Sequence, residues 1–249
     1  MRIISRLDIK GPNLIKGIQL EGLRVIGDPN FYAKKYFDDG VDELLLIDCV
    51  ASLYGRNNLV DIIKKASNEI FIPITVGGGI RSIKDAEKLF MSGADKIAIN
   101  SKAIVEPNII NKLAKSFGSQ AVVSSIQAKK LDNKKWLAYY DNGREKTEKD
   151  VVEWAKEVED RGAGEILLTS VDNEGTKNGF DLDLCETINS TCKVPLIYSG
   201  GMKSKNDLNK FHNFSECDAI AVASILHYNE TNIKEIKKFA QDIRLKVRV

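Results

Sequence analysis

The sequence predicts an α/β fold, a single (β/α)8 TIM barrel over residues 1–249 built as two half-barrels. Three observations carry the prediction. Eight short apolar runs alternate with helical patterns, the two halves of the chain echo one another at a nearly constant offset, and the turn that marks a dinucleotide-binding open sheet is missing.

The runs Ile3 to Ile9, Glu43 to Asp48, Ile72 to Val76, Lys96 to Ile99, Ala121 to Gln127, Glu165 to Ser170, Leu196 to Ser199 and Ala219 to Ala223 are rich in β-branched residues and leucine, and read as strands. Between them the apolar spacing predicts helices over Asn30 to Asp39, Ile83 to Met91, Glu106 to Phe117, Asp150 to Arg161, Asp181 to Ile188, Lys205 to Phe211 and Asn232 to Ile243. Eight strands separated mostly by helices form a parallel sheet, and closing it removes the edges that an open sheet would expose. A length of 249 residues suits one large core, with two ordinary domains as the alternative.

The echo is specific. Val76-Gly77-Gly78-Gly79-Ile80-Arg81-Ser82 matches Tyr198-Ser199-Gly200-Gly201-Met202-Lys203-Ser204, and Ala94-Asp95-Lys96-Ile97-Ala98 matches Cys217-Asp218-Ala219-Ile220-Ala221. The offsets are 122 residues from Gly78 to Gly200, 123 from Asp95 to Asp218 and 124 from Asp48 to Asp172. Three nearly equal offsets imply four strands per half.

Composition bounds the class. The 37 basic and 35 acidic residues leave a formal charge of +2, which gives no nucleic-acid surface. Cys49, Cys185, Cys192 and Cys217 lack metal-pair spacing and the density of a stapled secreted domain, so they read as reduced thiols of a cytoplasmic protein, with no metal. The N-terminal run carries Arg2, Arg6 and Asp8 and is too short and charged for a signal peptide, and no stretch reaches the length of a membrane span.

Two glycine turns point to a ligand. Gly77-Gly78-Gly79 follows the third strand and Ser199-Gly200-Gly201 the seventh, where glycines let backbone N–H groups approach an anion. Their partners after the next strands are Asn100-Ser101 and Ala223-Ser224. Two related phosphate sites, Gly79 with Asn100 and Ser101, and Gly200 and Gly201 with Ala223 and Ser224, imply a long ligand with a phosphate at each end.

Alternation places Arg2, Ile4, Arg6 and Asp8 on one face of the first strand. Turned inward, that face puts Asp8 at the mouth, where an acid shuttles protons once water is excluded, and Arg2 at the opposite floor. Gln127 takes the rim position across from Asp8, but an amide holds a ligand and cannot transfer protons. Asp48 and Asp172 bind polar parts of a ligand or cap strand ends. Lys16 lies in a long loop after the first strand, reaching an anion or staying solvated. Arg2, Glu43, Lys96 and Glu165 begin strands 1, 2, 4 and 6. Directed inward they form a closed ion-pair ring guarding an axial passage, and directed outward they are solvated strand ends.

Taken together, the stretches Leu7-Asp8-Ile9-Lys10, Ile15-Lys16-Gly17, Val76-Gly77-Gly78-Gly79-Ile80, Phe117-Gly118-Ser119-Gln120-Ala121, Arg161-Gly162-Ala163-Gly164-Glu165-Ile166-Leu167-Leu168-Thr169-Ser170, Gly175-Thr176-Lys177 and Ser199-Gly200-Gly201 give the whole chain a resemblance to the cyclase subunit of imidazole glycerol phosphate synthase. The resemblance implies a lyase-type enzyme of histidine biosynthesis, without cofactor, working as a heterodimer with a glutaminase. Ammonia from that partner enters at Arg2, Glu43, Lys96 and Glu165 and meets a bis-phosphorylated ribonucleotide at the mouth. It also implies Asp8 as acid and base, Lys16 in a mobile loop over the substrate, Gly175 and Thr176 at the phosphate side, and Asp95 at the partner face. Four positions depart from the family pattern: Gln127 at the second aspartate, Arg6 where a small residue is expected, Glu174 for aspartate and Glu148 for glycine. If Arg6 pairs with Asp8, it lowers that acid's pKa. These departures keep open a diverged member that passes ammonia to another reaction, such as amidation of surface sugars, and a scaffold that activates the glutaminase.

Overall fold

The computed structural model describes residues 1–51, 59–132, 134–212 and 218–248. Its strands, in chain order, are β1 (Arg2–Lys10), β2 (Asn13–Ile18), β3 (Glu21–Gly27), β4 (Glu43–Asp48), β5 (Ile74–Gly77), β6 (Lys96–Ile99), β7 (Val122–Asp132), β8 (Lys135–Tyr140), β9 (Glu145–Asp150), β10 (Glu165–Ser170), β11 (Leu196–Ser199) and β12 (Ala219–Val222). Parallel ladders join β1, β4, β5, β6, β7, β10, β11 and β12, and β12 pairs back to β1, with Arg2 opposite Ala219 and Ser5 opposite Val222. The eight-strand ring is a (β/α)8 barrel. Its strands are covered on both faces, which is why Glu43–Asp48 and Glu165–Ser170 read as almost unbroken apolar runs.

Helices follow the strands: α1 (Pro29–Asp38), α2 (Leu59–Glu69), α3 (Ile83–Met91), α4 (Ser101–Val105), α5 (Asn108–Phe117), α6 (Val151–Asp160), α7 (Leu182–Asn189), α8 (Leu208–His212), α9 (Ser224–His227) and α10 (Ile233–Asp242). Their starts are written locally. Asp28 accepts from the Phe31 N–H at 2.7 Å with Pro29 as the first helical residue, and Asp150 accepts from Val152 N–H at 2.8 Å. None of the described helices is long and apolar enough to cross a membrane.

Two apolar layers result. One packs the outer strand faces against the helices, with Leu7, Leu46, Ile63 and Trp154 among its members. The other fills the lumen with Ile4, Leu45, Ala98, Val123, Leu167, Ile197, Ala219 and Ala221, so the even face of β1 does turn inward. The half-barrel repeat extends to the ladders: β4 and β10, and β5 and β11, are each 122 residues apart, and β6 and β12 are 123 apart.

The structure corrects several expectations. Lys16 is not in a loop: it sits on β2, which pairs antiparallel with β1 and β3. A matching hairpin, β8–β9, follows β7, which runs on to Asp132 instead of ending at Gln127. The helix expected over Glu106 to Phe117 is present as α5, Asn108–Phe117, but the short α4 before it was not foreseen, and Pro107 separates the two. The segment from Lys205 starts as a 3-10 turn (Lys205–Asp207) before α8, and α2 was not foreseen. Cys217 lies outside the described residues, whereas Cys49 and Cys185 are buried.

A buried pair at the end of the barrel makes stability depend on pH. His227, 2% exposed, stacks on Tyr36, and its Nδ1 lies 2.6 Å from the Tyr36 hydroxyl. Burial first, and then the Lys16 charge, push its pKa down from 6.5 to about 4. The folded state therefore binds fewer protons than the unfolded chain between those values, and stability falls as pH drops through that window. At about 1.4 kcal/mol per tenfold the expected loss is about 3 kcal/mol. Urea titrations across that range check it, and His227→Gln removes that part of the slope.

Candidate active site

The C-terminal ends of the ring strands carry the two glycine turns. Gly78 and Gly79 share one cavity of about 240 Å³ with Asn100, Ser101, Asp48, Cys49 and Gln127. Gly200 and Gly201 share a smaller cavity of about 20 Å³ with Gly175, Ala223 and Ser224. The first cavity follows β5 and β6, and the second β11 and β12. These pairs stand four strands apart in an eight-strand ring, so the two cradles face each other across the mouth.

The glycines are required there. Gly78 has φ +104°, and a Cβ on it would come within 2.4 Å of the Asp48 carbonyl oxygen. Gly201 has φ +94°, and its Cβ would meet the Gly179 carbonyl oxygen at 2.0 Å. Backbone cannot yield as a flexible side chain does. Gly201→Ala is therefore expected to destabilise the fold by about 1–3 kcal/mol through backbone strain, read by urea titration.

Polar side chains around the first cradle tie it to the β8–β9 hairpin. Asn100 Nδ2 donates to the carbonyls of Ser125 at 2.9 Å and Tyr139 at 3.1 Å, and Ser101 Oγ accepts from Asp141 N–H at 3.1 Å. Gln127 Oε1 accepts from Gly143 N–H at 2.7 Å, so its carbonyl end is committed to the hairpin turn. The two hairpins meet over the mouth, where Asn142 Nδ2 donates to the Leu20 carbonyl at 3.0 Å.

Asp172 and Thr176 take local roles. Asp172 Oδ2 accepts from Lys130 N–H at 2.7 Å, and the Thr176 hydroxyl donates to the Asn173 carbonyl at 2.8 Å; neither lines the two cradles. Glu148 is exposed on β9 and lines neither cradle.

Asp8 is buried at the mouth between two cations. Arg6 Nε donates to Asp8 Oδ1 at 2.8 Å and Lys16 Nζ to Asp8 Oδ2 at 3.1 Å. Lys16, 3% exposed, also donates to Glu174, whose second oxygen lies 3.5 Å from Arg6 Nη1. Burial opposes ionisation of Asp8, but the charges of Arg6 and then Lys16 outweigh it and hold the carboxyl well below the usual carboxylate range. Glu174 is lowered in the same way, burial being outweighed by Lys16 and then Arg6. Lys16 is raised, its burial overcome by Glu174 and Asp8. Sequence reasoning foresaw the Arg6–Asp8 pair, two residues apart on one strand face, but missed Glu174 as its third partner.

At the opposite end the four strand-start charges form a closed ring. Arg2 donates to Glu43 at 2.8 Å and to Glu165, and Lys96 lies 2.8 Å from Glu43 and 2.7 Å from Glu165. Glu43 also accepts from the Thr75 hydroxyl at 2.5 Å. Each carboxylate therefore has two cationic partners, which offsets the cost of burying it. Asp95 is exposed at this floor, and its carboxylate accepts from Ile74 N–H at 2.8 Å, as Asp218 accepts from Leu196 N–H at 3.0 Å in the second half.

The family described as "Histidine biosynthesis protein" matches residues 2–232. Among curated proteins, the chain is 57% identical over 209 residues to the imidazole glycerol phosphate synthase subunit HisF of Legionella pneumophila, an alignment that covers 84% of this chain and 99% of that protein. It is 46% identical to the protein of the same name from Campylobacter concisus, covering 100% of this chain and 98% of the relative, and 42% identical to that of Bacillus cereus strain G9842, with the same coverage.

Proposed function

Because the chain belongs to the histidine-biosynthesis family, among the cyclase subunits of imidazole glycerol phosphate synthase, we propose that it is the synthase subunit of a glutamine-dependent heterodimer. A glutaminase subunit docks on the floor near Asp95 and releases ammonia there. The ring of Arg2, Glu43, Lys96 and Glu165 admits it, and the apolar lumen favours neutral ammonia over ammonium. At the mouth it meets a bis-phosphorylated ribulosyl-formimino carboxamide ribonucleotide. One phosphate lies at Gly79, Asn100 and Ser101, and the other at Gly200, Gly201, Ala223 and Ser224, with Gly175 beside it. Asp172 and Thr176 hold the loop next to the second cradle. Cyclisation and cleavage release imidazole glycerol phosphate and aminoimidazole carboxamide ribonucleotide. These are condensations and proton transfers, in which Asp8 moves the protons, Lys16 closes over the ligand and Gln127 holds a polar group.

The observation that carries this reading is the axial arrangement: facing glycine cradles at one end of the lumen and a closed charge ring at the other. One observation favours a second reading, in which ammonia passes to a different acceptor and cyclisation is weak. Asp8 is locked between Arg6 and Lys16, and an amide, Gln127, stands where a second acid would work. The discriminating experiment supplies the purified chain with the ribonucleotide and excess ammonium salt. Imidazole glycerol phosphate appears if the synthase reading holds. Its absence at every pH at which the chain is folded, while the chain still accelerates glutamine hydrolysis by the glutaminase, selects the second reading.

A further inference from the structure

The ion-pair ring at the floor has a counterpart at the mouth with the same membership: one arginine, one lysine and two carboxylates. Arg6 joins Asp8, Asp8 joins Lys16, Lys16 joins Glu174 and Glu174 returns to Arg6 at 3.5 Å. All four side chains are only 2–4% exposed, and their formal charges sum to zero. Arg6 also donates to Thr169 on β10 at 3.2 Å and to Ser199 on β11 at 3.0 Å. Counted through β12 and β11, β10 is three ladders from β1, nearly the far wall of an eight-strand ring. The guanidinium therefore lies across the lumen and not along its side. Below it come the apolar side chains of Ile4, Leu167 and Ile197, and below those the floor ring.

We propose that Arg6 and Glu174 close the mouth end of the axial passage, forming with Asp8 and Lys16 a second gate in series with the floor ring, and that an anionic ligand opens it by drawing Lys16 away. The proposal rests on the ammonia route given above. Lys16 is the member able to leave: it is carried by β2 of a hairpin, whereas Arg6 and Asp8 are fixed on a ring strand. It also lines a cavity of about 630 Å³ together with Gly175, Lys177 and Ser224, residues that border the second cradle, so a phosphate seated there competes with Glu174 for its ammonium. Departure of Lys16 removes one of the two cations that keep Asp8 ionised. Ligand arrival thus loosens the ring that holds Arg6 across the passage and moves the Asp8 pKa back toward its ordinary range in one event.

The test uses the full chain labelled with nitrogen-15 on lysine. In the unliganded protein the Lys16 ammonium hydrogens exchange with water at least roughly tenfold more slowly than those of exposed lysines. Glu174→Gln, which keeps the shape and removes the charge, abolishes that protection, and Glu174→Asp restores most of it. Saturating ribose 5-phosphate speeds exchange in the wild type. In the complex with the glutaminase, Glu174→Gln lowers acceptor product per glutamine hydrolysed, since ammonia escapes before the acceptor binds, and Glu174→Asp recovers it. Fast exchange of Lys16 in the unliganded wild type overturns the gate, as does exchange unaltered by ribose 5-phosphate, whether or not it binds, or coupling unaltered by Glu174→Gln. A wild-type complex that forms no product from glutamine refutes the function proposed above, and the exchange rates alone then decide the gate.

Discussion

Arg6→Met destabilises the fold by about 3–5 kcal/mol at neutral pH, the usual cost of leaving a buried charge without its partner. Arg6 is 3% exposed and faces both Asp8 and Glu174, so its loss leaves two carboxylates sharing Lys16 alone. For a chain of this size the midpoint of thermal unfolding drops by roughly 6–20 °C. The double variant Arg6→Met with Glu174→Gln recovers part of the loss, because Asp8 and Lys16 then balance. The carboxyls of Asp8 and Glu174 are depressed in the folded state, so the stability they contribute is present above the ordinary carboxylate range and is lost as pH falls below it. Scanning calorimetry of the single and double variants checks this. A loss under about 1 kcal/mol for Arg6→Met would mean that water reaches the cluster.

Asp8→Asn removes the acid to which the proposed reaction assigns the proton transfers. Turnover with the ribonucleotide and saturating ammonium falls about 10²- to 10⁴-fold, the range for loss of a positioned acid or base. The amide still fills the space but no longer balances Arg6 and Lys16, so a modest change in KM accompanies the loss. Glutamine hydrolysis by the partner stays at its wild-type rate, because the floor ring lies beyond the apolar lumen. A kcat within threefold of wild type would move the chemistry away from Asp8.

Most of the barrel was legible in the chain because most ring strands are short runs buried on both faces, and the glycine turns recur at one offset. The hairpins were not. β3 reads Glu21-Gly22-Leu23-Arg24-Val25-Ile26-Gly27 and is largely exposed, and β9 is mostly charged, so neither carries the alternation that marks a half-buried strand. Their existence follows from β1 and β7 running past the rim to pair with them, a tertiary matter. For the same reason position 16 read as a loop lysine that reaches an anion or stays solvated, and its burial on β2 was not legible. The floor ring was visible as four charges at the starts of apolar strands. The mouth ring was not, since Lys16 and Glu174 are 158 residues apart and no spacing links them. Arg6 and Asp8 were legible as a pair because two residues on one strand face always meet.

The facing cradles are tested most directly by calorimetric titration of the bis-phosphorylated ribonucleotide against the same compound lacking one phosphate. Two cradles joined by one ligand predict at least about 100-fold tighter binding of the bisphosphate, or about 2.7 kcal/mol, with Gly78→Ala and Gly201→Ala each reducing it to the affinity of the monophosphate. Equal affinities for the two compounds would contradict the placement of a phosphate at each end of the mouth.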